Sequence, residues 1–357
     1  MSSYISDNAC YSPLFADAEI EACFRCERLM ALMLAFELEL TRALVDHDVV
    51  ETSAGEAALA AIEDFTPDAG MLGIGSLQDG LPVPAFVRSL KAHVASRSGE
   101  VAAAAVHVGA TSQDLVDTVL VLNLRAASLC LSERLARVVE QLERLDDCFG
   151  AKNLMARTRM QAALPITVSD RLDSWVMPLR GHLSDLPSLR QRVEQIQFGG
   201  PVGTRNGLGD KGDAVASQLA AAFDLGNPQK AWHSMREAIV DYGDFLSKLT
   251  GSLGKMGMDI CLMAQQGGGE IVLKGSGTSS AMPHKQNPVL AEMLVAFARF
   301  NGVQVSGLHH AMVHEQERSG MAWTLEWMIL PLMVATAGKA LLHADTLLAQ
   351  VESIGDA

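Results

Sequence analysis

Three proline-free stretches dominate this sequence: one between Pro84 and Pro165, one between Pro228 and Pro283, and one after Pro331. Proline inside a helix removes a backbone hydrogen bond and clashes with the preceding turn. Each gap therefore leaves room for a helix well beyond the usual three turns. In the first gap Leu115, Val119, Leu122, Ala126, Leu129, Leu135, Val138, Leu142 and Leu145 recur mostly at intervals of three or four. That spacing predicts one apolar-striped helix from about 112 to 147, on the order of 50 Å long. A second stripe is formed by Trp232, Met235, Ile239, Tyr242, Phe245, Leu249, Leu253, Met256, Ile260 and Met263. Further helices are expected over 168–196, with Pro178 and Pro187 as kinks, and over 288–314 and 323–351. Alternating strand patterns with hairpin turns are nearly absent. The expected fold class is all-α, an elongated bundle of long helices.

Five helices of this length cannot each bury an apolar face within one small monomer, and the second stripe is apolar over more than a third of its circumference. The remaining faces are expected to be covered by other copies of the chain.

Composition closes off other classes. With 49% hydrophobic and 20% charged residues the chain is not disordered. Its 28 basic against 42 acidic residues give a net charge of −14, which disfavours sequence-independent nucleic-acid binding. The N-terminus lacks a basic stretch followed by an apolar one, and no run approaches the roughly 18 apolar residues that span a bilayer. A soluble, cytoplasmic protein is expected, with no nucleic-acid or membrane partner. Cys23 and Cys26 form a lone CxxC without downstream partners at zinc-like spacing, so they are read as small core residues of a helix. His309 and His310 are an adjacent pair without further ligands, expected on a helix surface.

The chemistry-bearing segment runs from Gly267 through Glu270 and Lys274 to Pro288. Glycines at 267, 268, 269, 275 and 277 favour a mobile backbone. Within it stand Ser279, Ser280, Lys285 and Asn287. A serine, an ammonium and an amide on a loop suit removal of a proton next to a carboxylate, with the cation and amide stabilising the enolate-like charge. By composition alone the same stretch also reads as a solvated Gly/Ser linker.

The order Ser279-Ser-Ala-Met-Pro-His-Lys-Gln-Asn-Pro288 resembles the signature loop of the fumarase/aspartase superfamily, with glycine displaced from 278 to 277. The resemblance implies Ser279 as the general base, with Lys285 and Asn287 supporting it and holding substrate carboxylate, and Ser280 and Met282 beside the substrate. His107-Val-Gly-Ala-Thr-Ser-Gln-Asp114 resembles the superfamily's first conserved region, in which Thr111 and Ser112 bind a carboxylate at a helix start. Read without the family, Thr111 or Ser112 is a good N-cap, and His107 is either a packed structural residue or a site residue. Ala156–Pro165 resembles a third region, placing Arg159 and Gln161 at the substrate.

Adenylosuccinate lyases carry a catalytic histidine where this chain has Arg159, and another upstream of the first region, where no histidine occurs between Glu63 and Ala92. Arginine instead offers a fixed fork for a carboxylate. Phe198–Thr204, Leu208–Ala214, Trp232–Arg236 and His314–Trp327 are similar to stretches of the bacterial 3-carboxy-cis,cis-muconate cycloisomerases, with Arg236 and Arg318 at anion-binding positions. That branch implies lactonisation of a tricarboxylate, no metal or organic cofactor, and a homotetramer whose sites are shared between subunits. It also implies an N-terminal helical domain over 1–105, a central bundle over 106–350, and a C-terminal helical cap that is absent here or cut short. A fumarate-releasing lyase of the same fold and a non-catalytic helical scaffold are the alternatives.

Overall fold

The computed structural model describes residues 8–275, 277–278, 282 and 285–356. An N-terminal layer of helices comes first: α1 (Ser12–Phe15), α2 (Ala18–Ala22), α3 (Cys26–Asp46), α4 (Thr52–Glu63), α5 (Ala69–Asp79), α6 (Val83–Ser98) and α7 (Glu100–Ala104). Then follow α8 (Ser112–Phe149), strands β1 (Asn153–Thr158) and β2 (Gln161–Thr167), α9 (Val168–Val193), α10 (Gly212–Ala222) and α11 (Glu237–Met263). Strands β3 (Ile271–Leu273), β4 (Gly277–Thr278) and β5 (Gln286–Asn287) lead into α12 (Val289–Ala311), α13 (Met321–Ala349) and β6 (Val351–Ile354).

The five long helices α8, α9, α11, α12 and α13 run alternately up and down. Thr118 near the start of α8 bonds Gln197 beyond the end of α9, and Asp117 meets Arg236 just ahead of α11. At the far end of α11 the Gly257 Cα lies so near α12 that an added Cβ would stand 2.6 Å from the Ala291 carbonyl oxygen. Trp323 near the start of α13 returns to Asp117, and β6 pairs with β3 at the opposite pole. The bundle thus has a Thr111 end and a hairpin end. With 38 residues in α8, these ends lie about 57 Å apart.

The helical periodicity holds closely, and α8 starts at Ser112 as expected. Four details depart from expectation. Helix α11 begins at Glu237, because Trp232 is drawn into the Thr111 end: its backbone N–H donates to Gln197, its indole N–H to the Ile196 carbonyl, and its ring covers the Arg236 guanidinium. Helix α9 runs continuously through Pro178 and Pro187. An antiparallel hairpin occupies 153–167, its two-residue turn made by Arg159 and Met160 at φ of 50° and 67°. Both positive values are those of a type I′ turn, but Arg-Met lacks the Asn-Gly signal that announces one. The expected single helix breaks between α2 and α3, so of the two cysteines expected in the core only Cys23 packs against it, half-buried, while Cys26 is exposed. His309 and His310 are exposed on α12, as expected.

Helices α8 and α13 are in fact long and apolar enough to cross a membrane by length and composition, but 61% and 50% of their most apolar windows are buried within the bundle. They read as core helices. Other apolar side chains remain on the outside: Leu129 on α8, Met177 on α9, Leu262 on α11 and Val303 on α12 are exposed, Val303 by 69%. Apolar side chains thus stand outside on each of these four long helices.

Candidate active site

At the Thr111 end, Thr111 has the extended backbone of an N-cap (φ −132°, ψ 163°), and its N–H donates to Asp114 at 2.9 Å. Asp114 is buried and accepts three more hydrogen bonds, from Gly199 N–H (3.0 Å), Gly200 N–H (2.8 Å) and His233 Nε2 (2.7 Å). One carboxylate therefore pins the glycine turn of 198–204 to the start of α8. Gly200 must be glycine: its φ is +70°, and a Cβ would stand 2.7 Å from the Gly109 carbonyl oxygen.

Arg318 reaches the same place from the segment before α13 and donates to the Thr111 hydroxyl at 2.7 Å. It makes no ion pair among the described residues and is half-buried. Half-buried Ser112 opens α8 beside it. A guanidinium without a carboxylate stands there next to the free amides and positive dipole end of a 38-residue helix, an arrangement that favours an anion. His107 stands nearby in the left-handed region at φ 60°, with its Nδ1 on the buried Glu37 carboxylate. Burial works against its protonation, but the charge and hydrogen bond of Glu37 and the more remote Asp114 outweigh that and hold its pKa above the usual imidazole value.

Arg236 does not play the role expected of it. It is fully buried, and its guanidinium makes two hydrogen bonds to Asp117 (2.8 and 3.1 Å) and two to Glu326 (2.8 and 2.5 Å). Asp117 also accepts from Gln113, Gln197 and the Trp323 indole. Desolvation would raise the Asp117 pKa, but Arg236 and the amides more than reverse it and hold the carboxyl below its ordinary range. Arg236 is thus the centre of a buried charge cluster that ties α8, α11 and α13 together, with its cation already matched by two carboxylates.

The hairpin end carries the other expected residues. Arg159 at the turn and Gln161 at the start of β2 are exposed. Arg159 lines a cleft of about 670 Å³ together with Arg157, Arg171, Lys255, Asp259 and Glu270. The four cations exceed the two carboxylates there, so the lining is locally positive in a chain of net charge −14. Arg157 is held by Glu270 at 2.6 Å, which ties the hairpin to the stretch leading into the signature loop. Arg159 and Arg171 have no ion-pair partner among the described residues. Lys285 is exposed and donates its backbone N–H to the carbonyl of exposed Met282. Asn287 sits in β5 opposite Gly277 of β4, just ahead of α12. Ser279 and Ser280 lie outside the described residues.

The structure thus brings Thr111, Ser112, His107 and Arg318 together at one end. Arg159, Gln161, Lys285 and Asn287 gather at the other, about 57 Å away along α8. Sequence reading missed Glu37, Arg171 and the Asp114–His233 pair. Glu37 did leave a signal, since it is the one charged residue on the buried face formed with Met33, Phe36, Leu40, Thr41 and Leu44. No group of three or more His, Cys, Asp or Glu side chains positioned to hold a metal occurs among the described residues.

Residues 28–306 match the model of a lyase family. The chain is 35% identical to the 3-carboxy-cis,cis-muconate cycloisomerase of Pseudomonas aeruginosa, over 98% of this chain and 77% of that one. It is 32% identical to the nitrosuccinate lyase of Streptomyces davaonensis, over 94% of this chain and 73% of that one. The crystal structure of the 3-carboxy-cis,cis-muconate lactonizing enzyme from Pseudomonas putida superposes with a TM-score of 0.88 at 34% identity, covering 97% of this chain and 77% of that one. With its alternating long-helix bundle, its signature loop between α11 and α12, and these similarities over most of its length, the chain belongs to the fumarase/aspartase family of lyases.

Proposed function

We propose that the chain is a cycloisomerase that converts 3-carboxy-cis,cis-muconate to 4-carboxymuconolactone in the protocatechuate branch of aromatic catabolism. One carboxylate oxygen of the substrate adds to a carbon of the conjugated diene and forms the lactone C–O bond. Electron density moves onto the neighbouring carboxylate as an enolate-like dianion, and a proton then goes to the carbon alpha to it. Ser279 exchanges that proton, and Lys285 and Asn287 stabilise the enolate-like charge. Arg159 and Gln161 hold a second carboxylate, with Ser280 and Met282 against the substrate. Thr111, Ser112 and Arg318 hold the third.

The observation that carries this reading is the arginine at 159, in a locally cationic cleft where a proton-donating histidine would serve an amine- or oxygen-releasing lyase. Charge supports it: a tri-anion approaching a chain of net charge −14 needs its cations concentrated at the site. Because the two half-sites lie at opposite poles of one rod, a complete site takes its Thr111 end and its hairpin end from different copies. A homotetramer with shared sites meets that requirement, and the exposed apolar walls of the bundle support it. Six unpaired cysteines support a cytoplasmic address.

Loss of diene absorbance on adding 3-carboxy-cis,cis-muconate tests the reading, and an unchanged spectrum rejects it. The similarity to nitrosuccinate lyase favours one competing reading, elimination from a substituted succinate. Fumarate release in a coupled assay, without lactone formation, would establish that reading. Arg159→His is expected to raise KM for the tricarboxylate about tenfold or more, because a charge-assisted contact to carboxylate is lost, while the melting temperature stays unchanged. An unaltered KM would remove Arg159 from the anion site.

A further inference from the structure

We propose that Glu37 is a positioning residue for the reaction: from the N-terminal layer it holds His107 by Nδ1 as an imidazolium, so that the Nε2–H is a fixed donor to a substrate carboxylate at the Thr111 end. This rests on reading that end as a carboxylate subsite.

The geometry is specific. Glu37 is fully buried on α3, and its Oε1 contacts Nδ1 of His107, 70 residues further along the chain. Its other oxygen, Oε2, is buried without any hydrogen-bond partner. A carboxylate this dry cannot stand alone, so its charge is matched by the one group it touches. A carboxylate only accepts, hence Nδ1 carries the hydrogen. The Nε2 atom has no protein partner among the described residues and is not among the buried unpaired atoms, and the His107 side chain keeps 15% exposure. One nitrogen is therefore locked and the other is open. The backbone is committed to the same end, because His107 occupies a left-handed conformation that non-glycine residues rarely adopt.

The charged groups acting on His107 come from three elements. Glu37 on α3 and Asp114 on α8 favour the imidazolium, whereas Lys91 on α6 opposes it, as does burial. Lys91 is half-buried and makes no ion pair among the described residues. An anion arriving here would offset the repulsion between Lys91 and His107 and gain from both. Since Glu37 raises the His107 pKa, the imidazolium is fully present at low pH and is lost as pH rises through that raised value. Without Glu37 it would be lost at lower pH.

The test uses propane-1,2,3-tricarboxylate, whose own carboxyls are ionised throughout, in calorimetric titrations of the assembled protein from about pH 7 to about pH 9. Histidine Cε1–H resonances are followed in parallel. Glu37→Gln keeps an acceptor for Nδ1 but removes the charge. It is expected to move the His107 titration down by about one unit or more, and to weaken tricarboxylate binding about tenfold near the upper end of the range. In His107→Gln the pH dependence of binding should disappear over this range, and adding Glu37→Gln should change nothing further. A His107 titration unmoved in Glu37→Gln, or a wild-type binding profile in His107→Gln, would overturn the proposal. Failure of the wild-type protein to lactonise 3-carboxymuconate would instead reject the substrate assignment and leave these two results standing.

Discussion

Two inactive variants, mixed, should make an active enzyme. Ser279→Ala removes the proposed proton-transfer group and is expected to lower kcat by about 10²–10⁴ while leaving the assembly intact. Thr111→Val combined with Arg318→Met dismantles the opposite end, where the Arg318 guanidinium and the Thr111 hydroxyl meet at 2.7 Å. Each protein alone should be nearly silent. After the copies are dissociated together and allowed to reassociate, a site built from different chains can draw its Thr111 end from one variant and its hairpin end from the other. Random mixing of equal amounts would leave about one quarter of such sites with both halves intact. Recovery to that order, read as lactone formation against a wild-type standard, is the expected result. No recovery despite demonstrated exchange of copies would mean that each chain builds its own site, and the 57 Å argument from α8 would fail with it.

The second large effect is on stability. Arg236→Leu should cost about 3–5 kcal/mol in a denaturant titration, because it strands Asp117 and Glu326, both at most 2% exposed, without their shared cation. Its sign with pH is diagnostic. In the native cluster Asp117 is held below the ordinary carboxylate range. That contribution is complete above the unfolded-state pKa of about 4 and is lost only as pH falls through the lower folded value. With Arg236 gone, desolvation becomes the dominant influence on Asp117 and its folded pKa rises. The variant should then gain stability on mild acidification over the range where the wild type gains none. A destabilisation below about 1 kcal/mol, or a pH slope like that of the wild type, would show that the cluster does not depend on this arginine.

Much of this architecture was legible because a period of 3.6 repeated over more than 25 residues leaves few alternatives. The expected helix over 112–147 is observed as Ser112–Phe149. What escaped was decided by contacts between distant segments. Nothing local in the Trp232 stripe announces that Gln197 and Ile196 will draw its first residues out of α11. The hairpin is closed by Arg159 and Met160, whose positive φ values no propensity favours. Arg236 looked like an anion binder because its neighbours in sequence match such a stretch. The carboxylates that occupy it stand 119 and 90 residues away. Motif reading named two groups of residues, and only the orientation of α8 shows that they stand at opposite poles of the chain.

The five rods also act as a gauge. Deleting one turn from α8 alone would draw its two tips together by about 5.4 Å, and the strand that follows could no longer meet Glu270 through Arg157. In an assembly where each tip serves a different neighbour, that error would be copied into every reaction chamber at once. Length variation in such a chain should therefore concentrate beyond the tips, in the turns and the N-terminal layer. The shafts themselves should tolerate changed side chains far better than a changed number of residues.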